Sequence, residues 1–128
     1  MTSITKIFTF AAAHHLPDYE GKCKAVHGHT FRLFVTVGLR PNRQGFSEGM
    51  IMDFAEVKNI VENHVLCSLD HSDLNMTFKN PTAENIIEWI KNRLEFVFSV
   101  KTTYLKRLQL WESDTSYAEW VKDDNPSD

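Results

Sequence analysis

The sequence predicts an α+β fold in which two helices lie on one face of an antiparallel sheet. The chain has 128 residues and is 42% hydrophobic, which suits one globular domain with a single core. Apolar residues alternate with polar ones near both ends of the chain, and between these stretches they recur at helical spacing. The predicted order is strand, strand, helix, helix, strand, strand, which is typical of a layered α+β domain.

The first two predicted strands form a hairpin. Residues 4–10 alternate in polarity and are rich in β-branched and aromatic side chains. The segment 17–22 has turn residues at both ends and reverses the chain. Residues 29–39 are rich in strand formers, and loop residues at 41–45 end this run. An antiparallel hairpin is the simplest arrangement of these two strands.

Two helices are predicted next. Asp53 stands where an N-cap is expected, before apolar residues at helical spacing, and predicts a helix over 54–67. The segment 80–82 offers a cap and a proline suited to a first turn, ahead of a second helix that reaches Phe98. Cys67 falls in the apolar first helix, so we expect it to pack as a small hydrophobic residue without a function.

The chain is expected to end with two more strands and a short tail. Residues 103–111 alternate in polarity again, and 116–121 form a last short strand. We expect one domain over 1–122, followed by an acidic, proline-bearing tail at 123–128 that frays.

Charge and composition exclude several classes of partner. The formal net charge of −3 gives no basic field for nucleic acid, and no apolar run approaches the roughly 20 residues needed to cross a bilayer. We therefore expect neither a nucleic acid nor a membrane as partner. Two cysteines are too few for a disulfide framework, which favours a reducing, cytoplasmic location.

Three histidines form the strongest candidate site. His27 and His29 are two residues apart, so both point to the same face of an extended strand, and the turn before them can bring His14 alongside. Three imidazoles with a fourth position open are typical of catalytic zinc. Cys23 lies close in sequence and has two possible roles, as a fourth ligand or as a base or nucleophile beside the metal.

Other polar residues are ambiguous by themselves. Asp70 beside His71 can orient a general base, although a polar loop after a helix is the ordinary interpretation. Glu112 stands on an otherwise apolar strand, either as a solvated strand end or as a carboxylate that binds ring N–H donors. His15 and His64 are expected to have no site role, because adjacent strand residues face opposite ways and a lone imidazole is usually structural.

Six motifs stand in order along nearly the whole chain: Phe10–Leu16, Cys23–His29, Gly49–Phe54, Leu69–Asn75, Pro81–Asn85 and Trp111-Glu112. Together they resemble the successive motifs of the 6-pyruvoyltetrahydropterin synthase and 6-carboxytetrahydropterin synthase family. The resemblance implies the tunnelling fold, in which such units pair their sheets into barrels. It also implies a homo-oligomer, usually a hexamer of two trimers with active sites between subunits.

The resemblance implies roles for individual residues. The implied zinc ligands are His14, His27 and His29. The implied catalytic groups are Cys23 as the base, Asp70 and His71, which assist it, and Glu112. The implied pterin-binding residues are Glu112, Thr82 and Glu84. His15 departs from the family, where an arginine or lysine is often found, which leaves three candidates for contact with the substrate triphosphate: Lys22, Lys24 and Arg32.

The implied substrate is 7,8-dihydroneopterin triphosphate, and the implied products are 6-carboxytetrahydropterin, acetaldehyde and triphosphate, on the way to queuosine. The three-residue spacer between Cys23 and His27 favours this outcome, because the spacer is longer in pyruvoyl-forming relatives. One alternative is therefore a 6-pyruvoyltetrahydropterin synthase. An alternative of another class is a zinc-stabilised interaction module, in which Cys23 closes the site as a fourth ligand.

Overall fold

The computed structural model describes residues 1–17, 21 and 25–123. Within them, five strands form one sheet in the spatial order β3-β1-β2-β4-β5. The strands are β1 (Ile4–His14), β2 (His27–Leu39), β3 (Ser72–Asp73), β4 (Thr103–Ser113) and β5 (Ser116–Val121). The helices are α1 (Phe54–Val61), α2 (Cys67–Leu69) and α3 (Ala83–Phe98), with a π-helical segment (Glu62–Leu66) joining α1 to α2 and a 3₁₀ turn (Leu74–Met76) before α3. The predicted α+β class is confirmed.

The β1–β2 hairpin is longer than predicted. Its ladder runs unbroken to the pair formed by His14 and His27, whereas the alternating pattern ended at Phe10 and the second strand was expected from His29. The intervening residues 11–13 are alanines, which have low strand propensity and hide the strand in the sequence. Pairing across the hairpin overrides this weak local preference and carries both strands into the candidate site.

The sheet is mixed, so the prediction of a wholly antiparallel sheet is wrong at one edge. β3 runs parallel to β1 and pairs Ser72 with Ala12 and Asp73 with Ala13. A strand of two residues is too short to give an alternating pattern, and its position depends on contacts between distant parts of the chain.

The first helix begins as predicted and ends later. The Asp53 carboxylate accepts a hydrogen bond from the N–H of Ala55 at 2.8 Å. Helical structure continues through the π-helical segment to Leu69, two residues beyond the predicted end. Cys67 is exposed, and its thiol donates to the carbonyl of Asn63 at 3.0 Å. The expectation that Cys67 packs in the core is wrong, because the wider π-helical turn rotates the residues that follow it.

The second predicted helix is capped by Thr82. Its hydroxyl accepts a hydrogen bond from the N–H of Asn85 at 3.1 Å, and α3 begins at Ala83. The sequence had suggested that Pro81 belongs to the first turn of this helix. The structure corrects this prediction, because Pro81 precedes the cap. The helix buries one apolar face: Ile86, Ile87, Ile90, Leu94 and Phe98.

The helices cover one face of the sheet, and that face also carries the candidate site. Buried side chains alternate along the strands, with Phe8, Phe10 and His14 pointing inward from β1 and Phe31 and Leu33 from β2. The apolar core therefore runs along the strands directly into the histidines.

No helix in the described part of the chain is both long enough and apolar enough to span a membrane. A single domain over 1–122 stays a prediction. Most of the predicted frayed tail, 124–128, lies outside the described residues.

Candidate metal centre

The structure brings together the three histidines that the sequence singles out. His14 and His27 pair across the β1–β2 ladder, and His29 lies two residues along β2 on the same face. Glu112 reaches the same place from β4. Among the described residues, this is the one group of three or more histidine, cysteine or acidic side chains whose ligand atoms all lie close together, within 4.8 Å.

Short distances separate the ligand atoms. Nε2 of His14 is 3.1 Å from Nε2 of His27 and 3.3 Å from Oε1 of Glu112. Nε2 of His29 is 3.1 Å from the same carboxylate oxygen. The His14 side chain is only 1% exposed, whereas those of His29 and Glu112 are 24% and 27% exposed. One member of the cluster, His14, is therefore buried, whereas His29 and Glu112 are partly accessible to solvent.

Backbone carbonyls decide which nitrogen of each ring faces the cluster. Nδ1 of His14 lies 2.9 Å from the carbonyl oxygen of Pro81, and Nδ1 of His27 lies 2.7 Å from that of Ala25. A carbonyl only accepts hydrogen bonds, so each Nδ1 carries a proton and each neutral ring presents a lone pair at Nε2. Two lone pairs that face each other at 3.1 Å repel unless a cation lies between them.

His29 and Glu112 add to this convergence of acceptors. Nε2 of His29 is buried and has no hydrogen-bond partner among the described groups. Glu112 lies 3.1 Å from it, but the contact is not aligned as a hydrogen bond. An unpaired buried polar atom is costly, so the arrangement is unfavourable without a further group. Three imidazole nitrogens and a carboxylate oxygen fit a bound divalent metal ion.

Protonation balances the charges in the metal-free protein. Burial by itself lowers the pKa of His14, but its hydrogen bond to Glu112, the Pro81 carbonyl and the Glu112 charge together raise that pKa above its ordinary value. The hydrogen bond from His14 lowers the pKa of Glu112, although burial opposes the shift. Burial lowers the pKa of His29, against the attraction of Glu112. A proton and a metal ion would therefore compete for Nε2 of His14.

Glu112 continues the inward-facing alternation of Leu108 and Leu110 along β4 and lies at an irregularity of that strand. The register of the β4–β5 ladder shifts between Trp111 and Ser113, as at a β-bulge, and Glu112 is the extra residue. Bulges often redirect a side chain beside a functional site. The alternative of a solvated strand end does not describe Glu112, because its carboxylate contacts two imidazoles. Sequence reasoning missed this contact, which depends on pairing between strands far apart in the chain.

A cavity of about 360 Å³ opens beside Glu112, within the usual range of ligand pockets. It is lined by Ala83, Glu84, Glu112, Ser116, Tyr117 and Ala118. Glu84 and Glu112, both implied by the resemblance to bind pterin, thus share one cavity. Thr82 caps the helix that begins with Ala83, so it fixes the backbone that carries Glu84.

The Asp70–His71 pair lies outside the four-residue cluster, at the edge of the sheet next to β3. Oδ1 of Asp70 is 3.1 Å from Nδ1 of His71, whose side chain is 84% exposed. The backbone N–H of Ala11 donates to the Asp70 carboxylate at 3.0 Å, and the N–H of His71 donates to the Ala11 carbonyl at 2.6 Å. Both residues are therefore tied to β1 while the imidazole remains open to solvent.

An open groove of about 490 Å³ lies between His71 and His29. His71 lines the groove next to β3, and His29 lines it from β2. The other residues that line the groove have small side chains: Ala11, Ala12, Ala13, Gly28, Thr30 and Ser72. One candidate ligand, His29, and the candidate general base, His71, therefore line the same open groove.

Of the proposed base and the phosphate-binding candidates, the structure describes Arg32 alone. Cys23, Lys22 and Lys24 lie outside the described residues. Arg32 points to the sheet face opposite the cluster, with its guanidinium carbon 5.2 Å from the centre of the Phe34 ring. It is thus directed away from the histidines of its own chain.

His15 and His64 do not join the cluster. Nε2 of His15 lies 3.5 Å from the side-chain amide nitrogen of Asn75, and His64 is exposed on the π-helical segment. His15 follows the last residue of β1, and its backbone and side chain contact Asn75 outside the cluster.

Comparison with known proteins identifies the family. A family sequence model described as 6-pyruvoyl tetrahydropterin synthase matches residues 3–123. The chain belongs to this family. A 6-carboxy-5,6,7,8-tetrahydropterin synthase from Synechocystis is 44% identical over 98 residues, which cover 74% of this chain and 76% of the relative. An enzyme of the same name from Haemophilus influenzae is 31% identical over 142 residues, with 94% and 99% covered.

Two further proteins are similar to this chain. A dihydroneopterin monophosphate aldolase from Pyrococcus furiosus is 40% identical over 108 residues, covering 83% of this chain and 85% of the relative. The solved 6-pyruvoyl tetrahydropterin synthase of Caenorhabditis elegans superposes with a TM-score of 0.75 at 21% identity, covering 95% and 96% of the two chains. The structural likeness confirms the tunnelling fold of a single subunit, and the sequence likeness makes the chain a member of a family of pterin enzymes.

Proposed function

We propose that the protein is a zinc-dependent 6-carboxytetrahydropterin synthase. It would convert 7,8-dihydroneopterin triphosphate and water into 6-carboxy-5,6,7,8-tetrahydropterin, acetaldehyde and triphosphate, for queuosine synthesis in the cytoplasm. The observation that carries the proposal is the cluster of three imidazole nitrogens with Glu112 beside a cavity of ligand size. The names of the relatives from Synechocystis and Haemophilus influenzae support the choice of reaction.

His14, His27 and His29 would hold the zinc ion, since three nitrogen ligands with an accessible rim suit a catalytic site. When bound, zinc supplies a Lewis acid that polarises hydroxyl groups of the substrate side chain. The carbonyls of Pro81 and Ala25 would keep two of the rings in the tautomer that binds metal, as hydrogen-bond partners of metal ligands generally do.

Proton transfer would fall to Cys23, Asp70 and His71. Cys23 would act as the base, because a thiolate is favoured beside cations and only two peptide bonds separate it from Ala25 at the cluster. The Asp70 carboxylate would hold the proton on Nδ1 of His71, which leaves Nε2 free to exchange protons in the open groove.

Glu112 and Glu84 would bind the pterin ring. A carboxylate accepts hydrogen bonds only, and the pyrimidine edge of a pterin presents N–H donors. Both acids line the cavity beside the cluster, so this edge and the reacting side chain would be held at once. Thr82 would contribute by fixing the start of α3.

We further propose that the protein is a homo-oligomer, a hexamer of two trimers. β5 is an edge strand, and among the described residues β1 pairs with β3 only through Ala12 and Ala13, which leaves 4–10 open on that side. Pairing β5 of one copy with β1 of the next is a head-to-tail contact that can close a ring. Light scattering on the purified protein would give the number of subunits, and a monomer at all concentrations would contradict this assembly.

A second candidate reaction is cleavage of dihydroneopterin monophosphate, which is favoured by the 40% identical relative named for that activity. Such an aldolase would break the bond between the first two side-chain carbons and leave the phosphate on a two-carbon aldehyde. This outcome can be distinguished from the main proposal, since neither acetaldehyde nor free triphosphate forms.

Product analysis tests these reactions directly. The zinc-loaded protein is incubated with dihydroneopterin triphosphate and, separately, with the monophosphate. We expect acetaldehyde and 6-carboxytetrahydropterin in equal amounts from the triphosphate. 6-Pyruvoyltetrahydropterin without acetaldehyde would instead indicate the pyruvoyl synthase, and a phosphorylated two-carbon aldehyde would indicate the aldolase. No product from either, with zinc lost on Cys23→Ala, would favour the interaction module.

A further inference from the structure

The motif Pro81–Asn85 ends in a residue to which the proposed function gives no role. Asn85 lies in the first turn of α3 and is exposed, yet its side chain reaches back to the loop before the helix. The side-chain amide contacts the carbonyl oxygen of Asn80 at 2.8 Å. A carbonyl only accepts hydrogen bonds, so the amide nitrogen of Asn85 is the donor.

This hydrogen bond closes a turn centred on Pro81. The carbonyl of Asn80 also accepts from the backbone N–H of Thr82 at 2.9 Å, which is the hydrogen bond of a γ-turn. The ring of proline fixes φ at about −65°, which suits the common, inverse form of this turn. Because two donors converge on one carbonyl, Asn85 adds to the single bond that would otherwise hold the turn closed.

The same segment leaves the Pro81 carbonyl available to His14. In a longer helix the backbone N–H of Asn85 would donate to Pro81, four residues earlier. Here that N–H donates to the hydroxyl of Thr82 at 3.1 Å, and the helical bonds begin with Ile86 donating to the Thr82 carbonyl at 2.9 Å. The buried Pro81 carbonyl therefore accepts from Nδ1 of His14, at 2.9 Å.

We propose that Asn85 is a positioning residue for the metal ligand His14 and acts through the Pro81 carbonyl. The inference rests on the proposed function and deepens its zinc site. His14 is only 1% exposed, so its Nδ1 depends on the partner that the loop supplies. Without the amide of Asn85 the turn relaxes and the carbonyl shifts from Nδ1. The ring then loses the partner that directs Nε2 into the cluster.

A purely structural role for Asn85 would be to stabilise the start of α3, and two substitutions separate this from positioning. The cap on Thr82 uses the backbone N–H of Asn85, which both substitutions keep. Asn85→Ala removes the amide without adding a charge. Asn85→Asp also removes the donor, but a carboxylate in the first turn favours the helix.

Zinc affinity is the main measurement, by competitive titration of the full-length protein. Both Asn85→Ala and Asn85→Asp should raise the Kd for zinc about tenfold, the lower end of the range for groups that support a ligand. The added charge of aspartate attracts a cation, so it cannot cause this loss. Denaturant unfolding of the metal-free variants should show Asn85→Asp closer to the wild type than Asn85→Ala.

A second measurement reports on the hydrogen bond itself. In the zinc-loaded protein, the Nδ1 proton of His14 can be observed by nitrogen-15 NMR. It should exchange with solvent faster in both variants than in the wild type, at a temperature where all of them stay folded.

Asn92→Asp is the matched control. It makes the same chemical change at an exposed position further along α3. The Kd for zinc should stay within about twofold of the wild type, and the exchange of the His14 proton should be unchanged.

Wild-type zinc affinity in both Asn85 variants would overturn the inference. Recovery of affinity in Asn85→Asp but not in Asn85→Ala would also overturn it, because the helix start, and not the amide, would then control the site. In both cases zinc binding and turnover by the wild type leave the proposed function intact. If the wild-type protein binds no zinc, this inference and the proposed function fail together.

Discussion

Two carboxylate–imidazole contacts of equal length lie in very different surroundings. Glu112 is 3.1 Å from His29, and Asp70 is 3.1 Å from His71. The first contact belongs to a cluster of four ligand groups, with backbone carbonyls behind two of the rings. The second lies at a sheet edge, with an imidazole that is 84% exposed.

The difference shows that the surroundings of a carboxylate–imidazole contact, and not the two groups themselves, determine what the contact can do. In the cluster, lone pairs converge and the rings are held from behind, which suits a group that must stay fixed around a cation. In the exposed pair, the Asp70 carboxylate and the His71 backbone are tied to β1, and a free imidazole edge suits a group that must gain and lose protons. Each of the following predictions tests one side of this contrast, starting with the largest effect.

His14→Ala should abolish tight metal binding, because it removes the buried member of the cluster. We expect zinc affinity to fall more than about 100-fold, beyond the loss typical of changes to groups that merely support a ligand. At a zinc concentration about 1,000 times the wild-type Kd, stabilisation by the metal should drop from about 4 kcal/mol to less than about 1.4 kcal/mol. Competitive zinc titration and thermal unfolding with and without zinc measure both effects.

His15→Ala is the control for this change. It removes the neighbouring imidazole, which contacts Asn75 and faces away from the cluster. Zinc affinity should be unchanged. If instead His14→Ala keeps the wild-type affinity, the three-histidine site is wrong.

His71→Asn should leave the metal in place and slow the reaction. Asparagine tolerates the positive φ of 59° at this position, so the backbone should hold while the proton-exchanging ring is lost. We expect kcat to fall about 100-fold with zinc content unchanged, the lower end of the range for a general acid or base. Steady-state kinetics and metal analysis on the same sample test this.

Asp73→Asn makes a comparable polar change two residues away, where the carboxylate accepts from the N–H of Asn75 at 3.0 Å. It should preserve kcat. A His71→Asn enzyme with wild-type turnover would show that the exposed pair has no part in proton transfer.

Glu112→Gln tests whether Glu112 binds the pterin or the metal ion. If Glu112 anchors the pterin, the loss of charge-assisted hydrogen bonds should raise KM about tenfold, while zinc affinity stays within tenfold. Glu88→Gln on the exposed side of α3 serves as a control for the loss of one charge. A large loss of zinc with an unchanged KM would show that Glu112 is a metal ligand instead.

The parts of this structure that could be predicted are those encoded over short distances. The period of the pattern identified both helices, and alternation or a richness in strand-forming residues identified four strands, including β5 with its bounds at 116 and 121. The facing of His27 and His29 also follows from a spacing of two residues. These features need only neighbouring residues, so the sequence contains them.

The features that could not be predicted depend on long-range pairing. β3 has only two residues, and it exists because the chain returns to β1 after α2. Glu112 meets the histidines through the alignment of β4 with β2 and an irregular register beside it. The Trp111–Tyr117 stack likewise arises across two strands. In each case the signal lies in register, which single-strand patterns do not specify.

The smallest predicted effect concerns protons in the cluster. The pKa of His14 is raised chiefly by its hydrogen bond to Glu112, against the effect of burial, so the metal-free protein holds this proton above the ordinary histidine pKa of 6.5. A raised pKa stabilises the folded protein below 6.5, and this contribution is lost as pH rises through the folded value. The lowered pKa of His29 affects the stability of the folded protein only below pH 6.5. Above pH 6.5, stability of the metal-free protein should therefore fall slightly as pH rises.

The metal-bound protein should show the opposite slope in the same pH window, because zinc must displace the His14 proton. We expect release of up to about one proton from His14 per zinc bound near pH 7, and tighter binding at higher pH. Calorimetric titration in buffers of different ionisation enthalpy counts these protons. Glu112→Gln should reduce the number, since the carboxylate that raises the pKa of His14 is then gone. An unchanged proton count in that variant would show that Glu112 does not control the charge of the cluster.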